Sequence, residues 1–133
     1  MWKGGAGNTL IYRDRPLIAY GSPNSEARLS ENSSANTITL GREVIVTGFY
    51  VTLAFFQGSN QGTDTLPVLT LRVNDSVTPV NCAVSISAPP YRCSSIINLT
   101  IPAEAQINIL VEKEGTGGWN NGDLKWNLTY SIP

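Results

Sequence analysis

The sequence predicts an all-β protein, an antiparallel jelly roll or β-sandwich of about eight strands that follows an extended N-terminal arm. Apolar and polar residues alternate along most of the chain, as they do in half-buried strands. No window longer than about ten residues shows the apolar spacing of an amphipathic helix. Turn residues separate the alternating segments at intervals of about 8–12 residues, which is typical of sandwiches and barrels.

The alternating segments are the predicted strands, taken in chain order. They are residues 17–20, 36–40, 43–56, 69–73, 80–86, 97–101, 107–111 and 124–132. The last is the clearest, because Leu124, Trp126 and Leu128 share one face with Tyr130 and Ile132 while polar residues occupy the other. Trp126 is therefore predicted to lie in the core.

The segment 43–56 changes phase along its length. Its apolar residues are even-numbered at Val44 and Val46 but odd-numbered at Phe49 and Val51. A slip of one residue exchanges the two faces of a strand. The strand must therefore end or bulge near Gly48, and glycine is the residue expected at a bulge.

Residues 1–35 differ from the rest of the chain, because they are rich in Gly, Asn and Ser and contain turn-forming residues that prevent one continuous strand. One interpretation is a loosely ordered terminus with one early strand. The other is an arm that lies on a neighbouring subunit, because its apolar side chains each gain about 1.5–3 kcal/mol on full burial. The candidate docking residues are Trp2, Leu10, Ile11, Tyr12, Leu17, Ile18 and Tyr20. We divide the chain into an arm over 1–35 and a jelly-roll domain over 36–133.

Charge and composition exclude several function classes. The chain has 133 residues with no histidine, and nine basic and ten acidic residues leave a formal net charge of −1. Without histidine there is no Ser-His-Asp or Cys-His nucleophile and no Cys/His zinc site. Near-zero charge argues against binding to nucleic acid or to an anionic membrane surface. The sequence therefore predicts a non-enzymatic protein without metal or cofactor.

A pair of carboxylates is the remaining candidate for acid/base chemistry. Glu112 and Glu114 lie two residues apart, and Asp123 follows after a glycine-rich segment. Such a pair can act on a sugar when one carboxyl is buried and the other is not. Nothing in the sequence separates the two environments, so we interpret these residues as a solvated strand end.

The N-terminus lacks a secretory signal, because a glycine-rich stretch and no long apolar region follow Met1. The strongly apolar run 49–56 is too short to cross a bilayer. We expect a protein made in a host cytoplasm without a signal peptide that reaches the outside by another route, such as assembly into a virus particle.

The two cysteines, Cys82 and Cys93, are both in phase with the apolar residues of their strands. The residues between them are expected to turn a hairpin and bring the cysteines together. A disulfide closing this loop would stabilise the protein by about 2–3 kcal/mol. The alternative is two buried free thiols. We favour the disulfide where the protein works in an oxidising medium.

Trp119 lies in a glycine- and asparagine-rich segment that offers no strand to cover it. Exposed aromatic residues stack on sugars and anchor interfaces. The alternative is that its ring folds back over the end of the β-domain. If it is exposed, the candidate ligand or receptor contacts are Trp119, Asn120, Asn121, Tyr91 and Arg92.

From residue 35 onward the order of segments resembles a family of small β-domains. The matching segments are 36–39, 48–51, 69–75 with the following Cys82 and Cys93, 98–104 and 123–130. This family occurs at the C-termini of collagen-like exosporium glycoproteins and in phage fibre or virion surface proteins. The resemblance implies a jelly roll related to the trimeric tumour-necrosis-factor and complement-C1q fold, used for attachment and without catalysis. The chain lacks the Gly-x-y repeat of the collagen-tailed members.

Together these features predict a bacteriophage structural protein at the virion surface, such as a capsid decoration protein, a head spike or a tail-tip subunit. Its expected partners are other virion subunits, contacted through the arm, and further copies of itself in a trimer. The alternative is a carbohydrate- or receptor-binding module of a phage fibre or bacterial surface protein, with a host surface glycan as ligand.

Overall fold

The structure, a computed structural model, describes residues 1–11, 18–26, 28–57, 66–84, 91–114 and 119–133. These residues form nine β-strands and a short 3-10 turn at Ser33–Asn36. The strands are β1 (Trp2–Ile11), β2 (Ile18–Gly21), β3 (Ile38–Thr39), β4 (Val44–Gln57), β5 (Leu66–Val73), β6 (Ser76–Ala83), β7 (Arg92–Ile101), β8 (Gln106–Glu114) and β9 (Trp119–Ser131). The prediction of an all-β protein is confirmed.

The strands form two antiparallel sheets packed face to face. Sheet A has the order β1-β9-β4-β7, and sheet B has the order β2-β8-β5-β6 with β3 also paired to β8. With the short β3 set aside, consecutive strands lie in opposite sheets except for the β5–β6 hairpin in sheet B, which is the order of a jelly roll. The predicted architecture is therefore confirmed.

The core lies between the two sheets and consists mainly of aliphatic residues. Its largest fully buried side chains are Trp126, Phe49, Leu69, Leu71, Ile101, Ile107, Ile109, Leu124, Leu128 and Val46. On β9 the predicted alternation is confirmed, since Leu124, Trp126 and Leu128 are buried and Lys125 is exposed. The prediction extends one residue too far, because β9 ends at Ser131 and Ile132 is exposed.

The predicted bulge in β4 is present. Its pairings with β7 and β9 both shift register between Val46 and Gly48, and Val46 and Phe49 are both fully buried. The extra residue changes the inward phase from even to odd positions. A larger residue there would displace its neighbours, since a Cβ on Gly48 would lie 2.8 Å from Thr129 Oγ1 and 2.9 Å from the Tyr50 ring.

The first 21 residues contribute a strand to each sheet. β1 pairs with β9 along sheet A, and β2 pairs with β8 in sheet B. The ring centroids of Trp2 and Tyr130 lie 4.3 Å apart, and Gly5 N donates a hydrogen bond of 3.2 Å to Ser25 O. The boundary proposed at residue 35 thus falls between two strands of the same sandwich.

The predicted docking residues differ in how exposed their side chains are. Trp2 and Tyr20 are half-buried, whereas Ile18 is 51% exposed. Leu10 and Ile11 belong to β1 by their backbone, but their side chains, together with Tyr12 and Leu17, lie outside the described residues. Docking of this segment on a neighbouring subunit stays a prediction.

Different strand ends lie at the two ends of the sandwich. We call one of them the terminal end, because the start of β1 lies there beside the last residues of β9, with Trp2 opposite Leu128. We call the other the loop end, where Gln57 pairs with Asn121 and Leu66 pairs with Glu114. The strand ends that border residues 12–17, 58–65, 85–90 and 115–118 all lie at the loop end.

Candidate functional site

Cys82 on β6 and Cys93 on β7 form a disulfide with a Cα–Cα distance of 5.8 Å. The predicted bridge is confirmed. The expected hairpin is wrong in one respect, because β6 and β7 are edge strands of different sheets and do not pair with each other. The disulfide therefore fastens sheet A to sheet B across one open side of the sandwich.

The outer face of sheet A is formed by the side chains that point away from the core. Thr52 lies between Lys125 and Arg92 in the register, and the next row places Tyr50 between Asn127 and Ser94. Neighbouring strands are about 4.8 Å apart. These two rows therefore form a compact patch at the centre of the sheet, toward the loop end.

A groove of about 470 Å³ lies over this patch between β4 and β7, and we call it the β4–β7 groove. It is lined by Tyr50, Val51, Thr52, Arg92, Cys93 and Ser94. Tyr50 is 39% exposed, and its ring covers Gly48, where a side chain would occupy the same space. The bulge glycine thus allows the aromatic ring to lie against the sheet beside the groove.

The charged side chains described on the outer face of sheet A are all basic. They are Lys3 on β1, Lys125 on β9 and Arg92 on β7, and all three are exposed. Lys125 Nζ lies 3.5 Å from Glu26 Oε1, a carboxylate that reaches the edge of the sheet from the segment after β2. Arg92 has no ion pair with any side chain that the structure describes. Among the described side chains, Arg92 is therefore the charged group at the groove that has no ion pair.

The outer face of sheet B is covered by its own chain. Asn36 Nδ2 donates hydrogen bonds to Tyr20 O at 2.7 Å and to Arg28 O at 2.9 Å. Asn108, on the outer side of β8, is buried and donates to Thr37 Oγ1 at 2.8 Å. The segment 28–37 thus occupies this surface, which leaves the outer face of sheet A as the open one.

Exposed aliphatic side chains lie on the side of the sandwich that the disulfide fastens. Ile96 on β7 is 84% exposed, and Val77 on β6 is 67% exposed. Both strands are sheet edges, and we call this side the β6–β7 edge. Ile96 alternates with the inward Cys93 and Ile97 and points out from sheet A, whereas Val77 pairs with Arg72 and points out from sheet B. The candidate contact surface is therefore the unpaired edge of β7 beside Ile96.

The predicted contact residues all belong to the loop end. Arg92 lines the groove, and Tyr91 O just before it accepts a hydrogen bond of 2.8 Å from Leu53 N. Trp119 pairs with Ile11 and Asn121 pairs with Gln57, at the start of β9. The side chains of Trp119, Asn120 and Asn121 lie outside the described residues. The backbone places them across β4 from Arg92 in the same sheet.

Sequence reasoning missed Tyr50, Thr52 and Ser94. The sequence pattern that could have found Tyr50 and Thr52 was present. After the bulge at Gly48, Phe49 and Val51 point inward, so the residues that alternate with them must point outward. The register that sets Ser94 and Arg92 beside them is a long-range pairing that no local pattern reveals.

The candidate carboxylates are divided between the sheets. Glu112 is half-buried on β8 of sheet B, while Asp123 belongs to β9 of sheet A. The Glu114 and Asp123 side chains lie outside the described residues.

Within the described ranges, no three His, Cys, Asp or Glu residues come together as metal ligands, and no helix is long and apolar enough to span a membrane.

No protein-family model matches the chain, and no curated protein matches its sequence significantly.

Proposed function

We propose that this protein is a non-enzymatic structural protein of a virus-particle surface that assembles as a homotrimer. The observation that carries the proposal is the polarity of the sandwich. The start of β1 and the last residues of β9 meet at the terminal end, whereas the strand ends that border residues 12–17, 58–65, 85–90 and 115–118 lie at the opposite end. Such a domain attaches by one end and displays the other.

Among the predicted docking residues, Ile11 and Ile18 lie toward the loop end, but Trp2 lies at the terminal end. Trp2 stacks beside Tyr130 at this end, so a partner subunit that covers it contacts both the first and the last strand. The loop end then faces outward, and segments 58–62 and 115–122, which adjoin its strands in the sequence, are rich in Gly, Asn and Ser, as suits contact with solvent or a host surface.

Self-assembly is supported by the β6–β7 edge. β7 is a long edge strand without proline or lysine, and Ile96 is almost fully exposed near its middle. Unprotected edges of this kind favour contact with another chain. An edge that packs against a different surface of the next copy generates a closed ring, and the resemblance favours a ring of three.

Native mass spectrometry of the full chain tests the assembly. We expect a mass three times that of the 14.3 kDa chain, and Ile96→Asp should give monomers. Ile18→Asp, which alters an exposed isoleucine on the opposite edge, should leave the trimer intact. A monomeric parent protein, or equal loss of trimer in both variants, would contradict this part of the proposal.

Sedimentation tests whether the protein is part of a virus particle. Particles purified from the source of this sequence should carry the protein through a density gradient and retain it in moderate salt. Recovery of the protein only in the fraction free of particles would contradict a virion role.

A further inference from the structure

We propose that the β4–β7 groove binds a carboxylate-bearing saccharide, with Arg92 holding the carboxylate and Tyr50 stacking on a sugar ring. This inference goes beyond the structural role, because it assigns a ligand class to a site on a single chain. Its volume of about 470 Å³ is within the range of about 300–1,000 Å³ that is usual for small-molecule sites.

Arg92 supplies the charge recognition. Its guanidinium is exposed at the groove and has no ion pair with any described side chain. The planar fork of arginine donates two parallel hydrogen bonds to a carboxylate, which lysine cannot reproduce. Lys125, in the same row, lies 3.5 Å from Glu26, which offsets part of its charge. Arg92 is therefore the principal anion-binding group of the groove.

Tyr50 supplies the flat surface. Its ring is supported by Gly48 beneath it, and more than a third of the side chain remains accessible. A tyrosine held in this way loses little conformational freedom when a ligand binds. Its apolar ring face suits the C–H face of a pyranose, and its hydroxyl provides a polar contact at the rim.

Thr52 and Ser94 complete the groove with neutral hydroxyl groups. Thr52 lies beside Arg92 in the register, and Ser94 lies beside Tyr50. Each hydroxyl can both donate and accept, which matches the hydroxyl groups of a sugar. The set of one guanidinium, one aromatic ring and two hydroxyls corresponds to an acidic sugar with a single charge per ring.

The same charges disfavour a nucleic acid. A polynucleotide requires several cations along its path, because its affinity comes from neutralising successive phosphates. Here, among the described side chains, Arg92 is the cation of the groove without an ion pair, Lys3 lies two strands from Tyr50 in the register, and the net charge of the chain is −1. A short acidic saccharide fits this arrangement better.

Isothermal titration of the purified, disulfide-bonded protein tests the proposal with two matched ligand pairs. The acidic probes are trigalacturonate and 3′-sialyllactose, and their neutral partners are methyl-esterified trigalacturonate and lactose. We expect binding of at least one acidic probe, weakening in high salt, and affinity at least tenfold lower for its neutral partner. No binding of either acid, or equal binding of acid and neutral partner, would overturn the proposal.

Variants locate the site. Arg92→Gln should lower the affinity for the acidic probe by about tenfold to hundredfold. The affinity of Arg92→Lys should lie between that of Arg92→Gln and that of the parent protein. Arg42→Gln removes an exposed arginine at the terminal end and should change nothing. Glu26→Gln releases Lys125 and should raise the affinity by up to about fivefold. Equal loss in Arg92→Gln and Arg42→Gln would indicate nonspecific attraction and overturn the assignment.

Two further measurements test whether the Tyr50 ring contacts the ligand without being needed for folding, and whether the groove prefers a saccharide to another polyanion. Tyr50→Leu should weaken binding by about tenfold or more while leaving the thermal unfolding midpoint within a few degrees. A single-stranded oligonucleotide at the same salt concentration should bind more weakly than the acidic probe. Tighter binding of the oligonucleotide would contradict a saccharide site. None of these readouts depends on a virus particle, so the test is independent of the proposed function.

Discussion

The indole Nε1 of Trp126 donates a hydrogen bond of 3.1 Å to the backbone carbonyl oxygen of Ser22. This bond joins β9 of sheet A to the segment that follows β2 of sheet B, and both residues are buried. It lies on the side of the sandwich opposite the Cys82–Cys93 disulfide. The two sheets are thus connected along both open sides, by a covalent bond on one and by a buried hydrogen bond on the other.

Replacing Trp126 with phenylalanine should lower the free energy of unfolding by about 2–4 kcal/mol. The change leaves the Ser22 carbonyl without its donor and opens a space in the core. Urea denaturation followed by tyrosine fluorescence measures the effect. Trp2→Phe, at a half-buried position beside Tyr130, is the control and should cost about 1 kcal/mol or less. Equal losses in the two variants would contradict the special role of Trp126.

Gly21→Ala should destabilise the protein by about 1–3 kcal/mol, because a Cβ there would lie 2.6 Å from Trp126 Cη2. Gly41→Ala is its matched control, since a Cβ at Gly41 meets no atom within 4 Å. Thermal unfolding of both variants checks the difference. An unchanged midpoint for Gly21→Ala would show that the indole is not packed against β2.

Removing the disulfide with Cys82→Ala and Cys93→Ala together should cost about 3 kcal/mol, since a short closed loop is released in the unfolded chain. The oxidised parent protein should therefore unfold at higher urea concentration than either the double variant or the reduced parent. Coincident unfolding curves with and without dithiothreitol would contradict a stabilising role for this bridge.

Arg72 should matter more for stability than its ion-pair partner does. Its guanidinium lies 4.8 Å from the centre of the Tyr20 ring and 2.9 Å from Asp75 Oδ1, while Asp75 is largely exposed. Arg72→Ala should cost about 1–3 kcal/mol through lost packing and cation–π attraction. Asp75→Asn keeps a residue that accepts the positive φ of 64° and should cost less than about 1 kcal/mol. Urea denaturation distinguishes the two, and the reverse order would contradict this assignment.

Local patterns predict the part of the fold where alternation is strong. The buried set Leu124, Trp126 and Leu128, the bulge at Gly48 and the cysteine pair all follow from the phase of apolar residues along a strand. These features were predictable because the pleat of a strand ties the side-chain direction directly to sequence position.

The N-terminal strand β1 was not predictable in this way. Gly4 and Gly5 indicate a flexible segment when the sequence is considered alone, yet in the structure they lie against Trp126 and the backbone of Leu124. Glycine is needed there because strand and indole approach closely, a reason that comes from residues more than 100 positions away. The β4–β7 groove depends on the same kind of distant pairing, between Thr52 and Arg92.

Immunogold labelling of intact particles tests the virion assignment most directly. Antibodies against a peptide of residues 58–65, which come between β4 and β5 in the sequence, should label the outside of intact particles purified from the source of the sequence. Antibodies raised against the exposed turn at residues 102–104, at the terminal end, should label only after the particles are disrupted. Absence of both labels from particles, or labelling of intact particles by the second antibody alone, would contradict the account.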